Sequence, residues 1–216
     1  MKGLLLKDWY QVKTNMWMMY LTVLAVLAIW ILSTSGDSSF AVNYSAVFLG
    51  IMPAYLLSYD HASGWTEYSF ALPLSKELQV AEKYLVGLLC TAAAVVIGGL
   101  FITVISLRTG TTPDKDALSL LAGSVCAILL INGISLPLLY RFGAEKARMI
   151  YVLTFAGLGA LLGGGGAVMD ELQQNGTGSG PLPVPLWLAA VLLLAVLALY
   201  AVSWRVSVAW YGKYKK

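Results

Sequence analysis

Long apolar runs alternate with short polar breaks along this chain, and the lengths of the runs predict helices that cross a membrane. Crossing a hydrocarbon core about 30 Å thick takes on the order of 20 mostly apolar helical residues. Six stretches reach that length: roughly Met16–Ser33, Phe40–Tyr59, Tyr84–Leu107, Ala117–Tyr140, Met149–Met169 and Pro185–Trp204. None of them contains Asp, Glu, Lys, Arg or His. In lipid each must be a helix, because no water is present to satisfy the backbone. The expected fold is therefore an all-α integral membrane protein, one transmembrane domain over residues 1–216 with six spans.

The polar breaks carry their own patterns. Lys2–Asn15 predicts an amphipathic helix lying in the interface, with Leu5, Trp9 and Val12 on one face and Lys7, Asp8 and Gln11 opposite. Residues 60–83 form the longest polar break. Within it Trp65, Tyr68 and Leu72 fall at i, i+3 and i+7, an apolar stripe on a short helix. Pro73 should end that helix, because the residue before a proline is disfavoured in the α region. Ser75 is placed as the N-cap of the next helix, with Glu77 in its first turn, where a negative charge suits the helix dipole. That helix should run straight into the third span, which makes a compact helical elbow. The opposite loops, Thr34–Ser39, Arg108–Asp116 and Asp170–Val184, are short or rich in turn residues.

Charge orients the spans. One side holds twelve of the fourteen Lys and Arg residues, and the other holds only Arg108 and Lys115. Basic loops stay on the cytoplasmic side, so an even number of spans puts both termini in the cytoplasm of a multi-pass protein of the plasma membrane. Composition agrees with a lipid-solvated chain: 59% of residues are hydrophobic and 12% charged, against about 25% charged in a typical soluble domain. The net charge of +3 gives no reason to expect nucleic acid as a partner.

The same runs narrow the chemistry. Spans without a carboxylate count against a proton- or sodium-coupled carrier, since ionisable groups inside a membrane mark such paths. A single histidine, His61, and two cysteines, Cys90 and Cys126, are too few for a metalloprotease or a metal centre, and the cysteines read as packing residues. A phosphate-binding loop needs Gly-x-x-x-x-Gly-Lys-Ser/Thr, and the run Gly163–Gly166 is not followed by Lys-Ser/Thr. Gly159 and Gly163 instead make a small-xxx-small pair suited to helix packing. No catalytic residue and no cofactor are expected in this chain, so any ATP and magnesium belong to another subunit. Asn132, a polar residue within an apolar run, reads either as an interhelical hydrogen-bonding group or as a residue lining a substrate path.

The 60–83 break also carries a resemblance. Tyr59-Asp60-His-Ala-Ser63-Gly64-Trp65-Thr-Glu67-Tyr68, then Ala71-Leu72-Pro73-Leu-Ser75-Lys76 and Val80-Ala-Glu-Lys83-Tyr84-Leu85, resembles the signature of ABC type-2 transporter permeases. The chain is similar to the small six-span members that export amphipathic and antimicrobial peptides, the phenol-soluble modulin exporters among them. The amino-terminal Met-Lys-Gly-Leu-Leu-Leu-Lys-Asp and the carboxy-terminal Ser203-x-x-x-Ser207 with Tyr211-Gly-Lys213 look similar too. The resemblance implies a homodimer of permeases, each bound to a separate cytoplasmic ABC ATPase. It implies that Ser63–Leu72 is the coupling helix, with Asp60, Ser63, Gly64, Trp65, Glu67, Tyr68, Leu72, Pro73 and Ser75 as coupling residues. Arg141, Glu145, Lys146 and Arg148 form a second loop on the same side. His61 stands where an acidic residue is expected, and Lys76 replaces the more usual arginine. The function implied is export of hydrophobic or amphipathic substrates; the rivals are a substrate-binding subunit of a vitamin importer and an assembly factor that transports nothing.

Overall fold

The computed structural model describes residues 2–15, 17–33, 39–110, 115–143, 146, 149–150, 152–154, 156–157 and 186–211. Every element among them is helical. α1 (Lys2–Asn15) leads into α2 (Trp17–Ser33), and α3 (Ser39–Ala62) ends at a short α4 (Trp65–Ser69). Then follow α5 (Lys76–Thr109), α6 (Lys115–Phe142) and α7 (Leu186–Tyr211).

Among the described residues, four stretches are long and apolar enough to cross a membrane: Phe40–Ala62, Lys76–Thr109, Ser119–Phe142 and Val191–Tyr211. A shorter apolar stretch, Leu21–Trp30, lies in α2. The later part of the predicted fifth span, with Gly159 and Gly163, lies outside the described residues, as do Glu145 and Arg148. In α5 the charged Lys76–Lys83 segment precedes the apolar run 84–107, so elbow helix and span are one continuous rod. α7 extends seven residues past the expected end at Trp204 and stays helical to Tyr211.

The core is a bundle in which α3 packs on α5 and α6, and α6 packs on α7. Ala54, Leu57, Tyr84, Leu136, Leu139, Tyr140 and Tyr200 fill the largest buried cluster, joining α3, α5, α6 and α7. A second cluster, Leu49, Met52, Leu56, Val86, Cys90 and Ile128, receives Leu5 and Val12 of α1. α2 sits apart from these, touching α3 through Val23 and Leu27 against Ala41. Its Trp30 ring lies 4.2 Å from that of Phe40. The outward surfaces of α5 and α7 are leucine- and valine-rich and exposed, which in water would be untenable and in lipid is the expected state.

Hydroxyls fasten the bundle internally. Tyr84 Oη sits 2.6 Å from Ser203 Oγ and 2.7 Å from Ser207 Oγ, tying α5 to α7. Tyr200 donates to the Tyr84 carbonyl at 2.9 Å. Gly87 has no side chain at the place where the Tyr200 hydroxyl lies, which permits this approach. The two cysteines are free.

Candidate functional site: a charged base beneath the helices

At one end of the bundle α1, α3, α4 and the start of α5 meet, and there the sequence places its charges beside one another. Asp8 is the first of these. Counting faces on α1 put it outside with Lys7 and Gln11, but it is 3% exposed. Leu4 and Asp8, one turn apart, face the bundle, with Leu5 and Val12 beside them; Trp9 is 65% exposed instead. The expected faces are therefore rotated. An apolar count misplaced them because the buried face of α1 includes an ion.

The ion is paired. Lys83 Nζ donates to both Asp8 oxygens, at 2.8 and 2.7 Å, and reaches Asp60 Oδ2 at 2.7 Å. Lys7 Nζ donates to both Asp60 oxygens at 2.7 Å and lies 3.0 Å from Asp8 Oδ1. Two ammonium groups thus bind two carboxylates in a closed square that bolts α1, α3 and α5 together. A third carboxyl, Glu82, lies 3.5 Å from Lys83 Nζ and is 3% exposed. Burial pushes the Asp8 carboxyl up, but Lys83, a hydrogen bond with Glu82 and Lys7 outweigh it and hold it below its ordinary value of 3.8. Burial works against the Lys83 charge, yet Glu82, Asp60 and Asp8 keep this ammonium well above its usual range.

α4 hangs from this base. Gly64 caps it in the left-handed region at φ 73°, where a side chain would be strained. The helix is five residues long rather than the expected ten from Ser63 to Leu72, and Ala71 and Leu72 close in turns. Its inner face is also not the predicted stripe: Thr66 and Ser69 are buried, while Trp65 and Leu72 are half-buried and Tyr68 is exposed. The reason is the polar neighbourhood, which Ser69 can satisfy and a leucine could not. Ser69 Oγ lies 2.7 Å from the Thr66 carbonyl and 3.0 Å from Gln79 Oε1, its one hydrogen serving either acceptor, and Gln79 Nε2 donates to the Ser69 carbonyl at 3.2 Å. The Tyr211 hydroxyl of α7 also donates to Gln79 Oε1. Phe70 stacks on the Tyr211 ring with centroids 5.2 Å apart.

Outward, α4 presents Trp65 and Tyr68, their rings 5.6 Å apart, together with the exposed Glu67. Lys7 Nζ sits 4.7 Å from the centre of the Trp65 ring, so the face is joined to the ion square through a cation–π contact. Ser63 and Gly64 are exposed, as are Pro73 and Ser75. Ser75 caps α5 as expected, its hydroxyl accepting from the Leu78 amide at 3.3 Å. Arg141 and Lys146 are exposed near Phe142, and Arg141 also covers the Trp210 ring at 5.0 Å. Asn132 is fully buried, with neither side-chain atom hydrogen-bonded. It does not line the large apolar cavity of about 580 Å³ between α2, α3 and α5, which Val23, Leu27, Phe48, Leu49, Ile97 and Phe101 help to wall.

Of the site, the sequence named Asp60 but not its partners Lys7, Asp8, Glu82 and Lys83. The available signal was spacing: Leu4 and Asp8 are one helical turn apart, and both lysines sit at the same membrane end as the two aspartates. The two resemblance motifs also meet in space, since Tyr84 of one binds Ser203 and Ser207 of the other.

A bundle of apolar helices with its ion pairs and polar loops gathered at one end is the mark of a multi-span helical membrane protein. The particular family follows from comparison: the family model described as ABC-2 family transporter protein matches residues 3–212, and the chain belongs to that family. It is thus a membrane permease subunit that works with an ABC ATPase and is not itself the catalytic ATPase. No curated protein and no solved structure matches the chain.

Proposed function

We propose that this permease exports hydrophobic or amphipathic substrates, peptides of the toxin or antimicrobial kind among them, from a plasma membrane in which both its termini are cytoplasmic. Two copies form the path, and each receives the force of a separate ATPase through α4. The observation that carries this reading is the outward face of α4, Trp65, Glu67 and Tyr68, mounted on helices that the ion square holds rigid. A face so mounted passes a push to α1, α3 and α5 together, which is how a local contact becomes a rigid-body shift of packed helices. The exposed Arg141 and Lys146 supply a second basic contact on that side. The apolar cavity of about 580 Å³ supports a hydrophobic cargo, because its described lining offers no charge to recognise a polar one.

The test is to purify the chain with its ATPase in lipid nanodiscs and follow substrate-stimulated ATP turnover. Trp65→Ala and Tyr68→Ala should each cut stimulation about tenfold or more while the chain remains folded, as truncation of an aromatic anchor costs about 2 kcal/mol. Unchanged stimulation in both variants, or an ATPase that never associates, ends this reading.

A further inference from the structure

The ion square leaves one carboxyl out. Lys83 has three N–H bonds and directs them to Asp8 and Asp60; Lys7 likewise faces Asp60 and Asp8. Glu82 Oε1, buried beside them, has no hydrogen-bond donor. Three carboxyls face two ammonium groups in one water-poor site, so full ionisation leaves a net negative charge there. The cation nearest to Glu82, Lys83 at 3.5 Å, is already shared by two other carboxylates, so ionising Glu82 in this buried place is expensive and the group takes a proton instead.

We propose that Glu82 is a proton-binding site of the base, holding a proton while α1, α3 and α5 are packed together as they are here. With the proton bound the site is neutral, two ammonium groups against two carboxylates. The Asp8 carboxylate lies within hydrogen-bonding reach and can accept the Glu82 hydroxyl. The groups facing Glu82 are Lys7 and Asp8 of α1, Asp60 of α3, Gln79 and Lys83 of α5, Tyr140 of α6 and Tyr211 of α7; His61 of α3 lies near Asp60 and Lys83, and Glu67 of α4 is exposed to solvent. Lys7 and Lys83 balance Asp8 and Asp60, which leaves no further ammonium group among these for a third carboxylate. Burial first, and then the nearby Asp8, push the Glu82 carboxyl up to about 8 against the opposing pull of Lys83 and Lys7. A cavity of about 20 Å³ lined by Glu82, Ser69 and Gln79 has room for one water molecule beside the carboxyl. The site lies before the apolar run of α5 and does not depend on whether an ATPase docks on α4.

Infrared difference spectroscopy of the purified full chain in nanodiscs tests this. The expected result is a protonated-carboxyl C=O band near neutral pH that titrates away with a midpoint near 8 and is absent in Glu82→Gln. A wild type without that band, or a band that survives in Glu82→Gln, overturns the proposal. Asp8→Asn provides a readout that leaves Glu82 intact: removing the adjacent carboxylate should move the midpoint down, and an unmoved midpoint also overturns it.

Discussion

Gly87 shows how narrowly one residue can be specified here. A methyl group added at its Cα would run into the hydroxyl of Tyr200, and that hydroxyl is held by its bond to the Tyr84 carbonyl. The tyrosine ring is itself buried in the main cluster, so it has little freedom to move aside. Gly87→Ala should therefore destabilise the fold by about 1–3 kcal/mol, the usual cost of overfilling a packed core. Thermal unfolding in detergent micelles would show it, and Tyr200→Phe in the Gly87→Ala background should recover part of the loss by removing the clashing oxygen. Sequence could not reveal this contact, since it joins positions over a hundred residues apart. The Ser75 cap, by contrast, was legible because a cap is a local bargain between one side chain and an amide three residues on.

Among elements, α1 depends most on a single partner. Its Asp8 is held by Lys83 of α5, and each is nearly sealed from solvent. Replacing Lys83 with methionine leaves Asp8 and Asp60 to share Lys7 alone, which should cost about 3–5 kcal/mol, as breaking a buried pair from one side does. Adding Asp8→Asn to Lys83→Met should restore part of that stability, measured by the same unfolding transition, because the leftover charge is then gone. Four of the six expected spans, the second, third, fourth and sixth, were legible from run length alone. What sequence misjudged was every place where polar atoms face inward: the rotation of α1, the inner face of α4 at Thr66 and Ser69, and the shortness of that helix. A hydrophobic count assumes that buried means apolar. Where the interior holds an ion square and a hydroxyl–amide network, the rule inverts.

For the whole molecule the two unusual carboxyls pull stability in opposite directions on the pH scale. Glu82 is raised from 4.5 to about 8, so the folded chain holds a proton that the unfolded chain has released. That contribution is fully present below 4.5 and is lost as pH rises through the window up to about 8. Asp8 is lowered below 3.8, so its contribution is present above 3.8 and is lost as pH falls below that. Unfolding midpoints measured across pH should decline between about pH 5 and pH 8, and Glu82→Gln should flatten that decline while leaving the acid limb in place. The ion square has one more consequence, and it concerns the order of synthesis. Asp8 leaves the ribosome 75 residues ahead of Lys83, and Ser69 precedes Tyr211 by 142. During translation Asp8 therefore has only Lys7 of its own helix as a counter-charge until Lys83 has been made. Only when α5 emerges can α1 take its place, and only the last helix completes the network around Gln79. A nascent chain stopped before that point leaves Ser69 and Gln79 without the Tyr211 hydroxyl that completes their network.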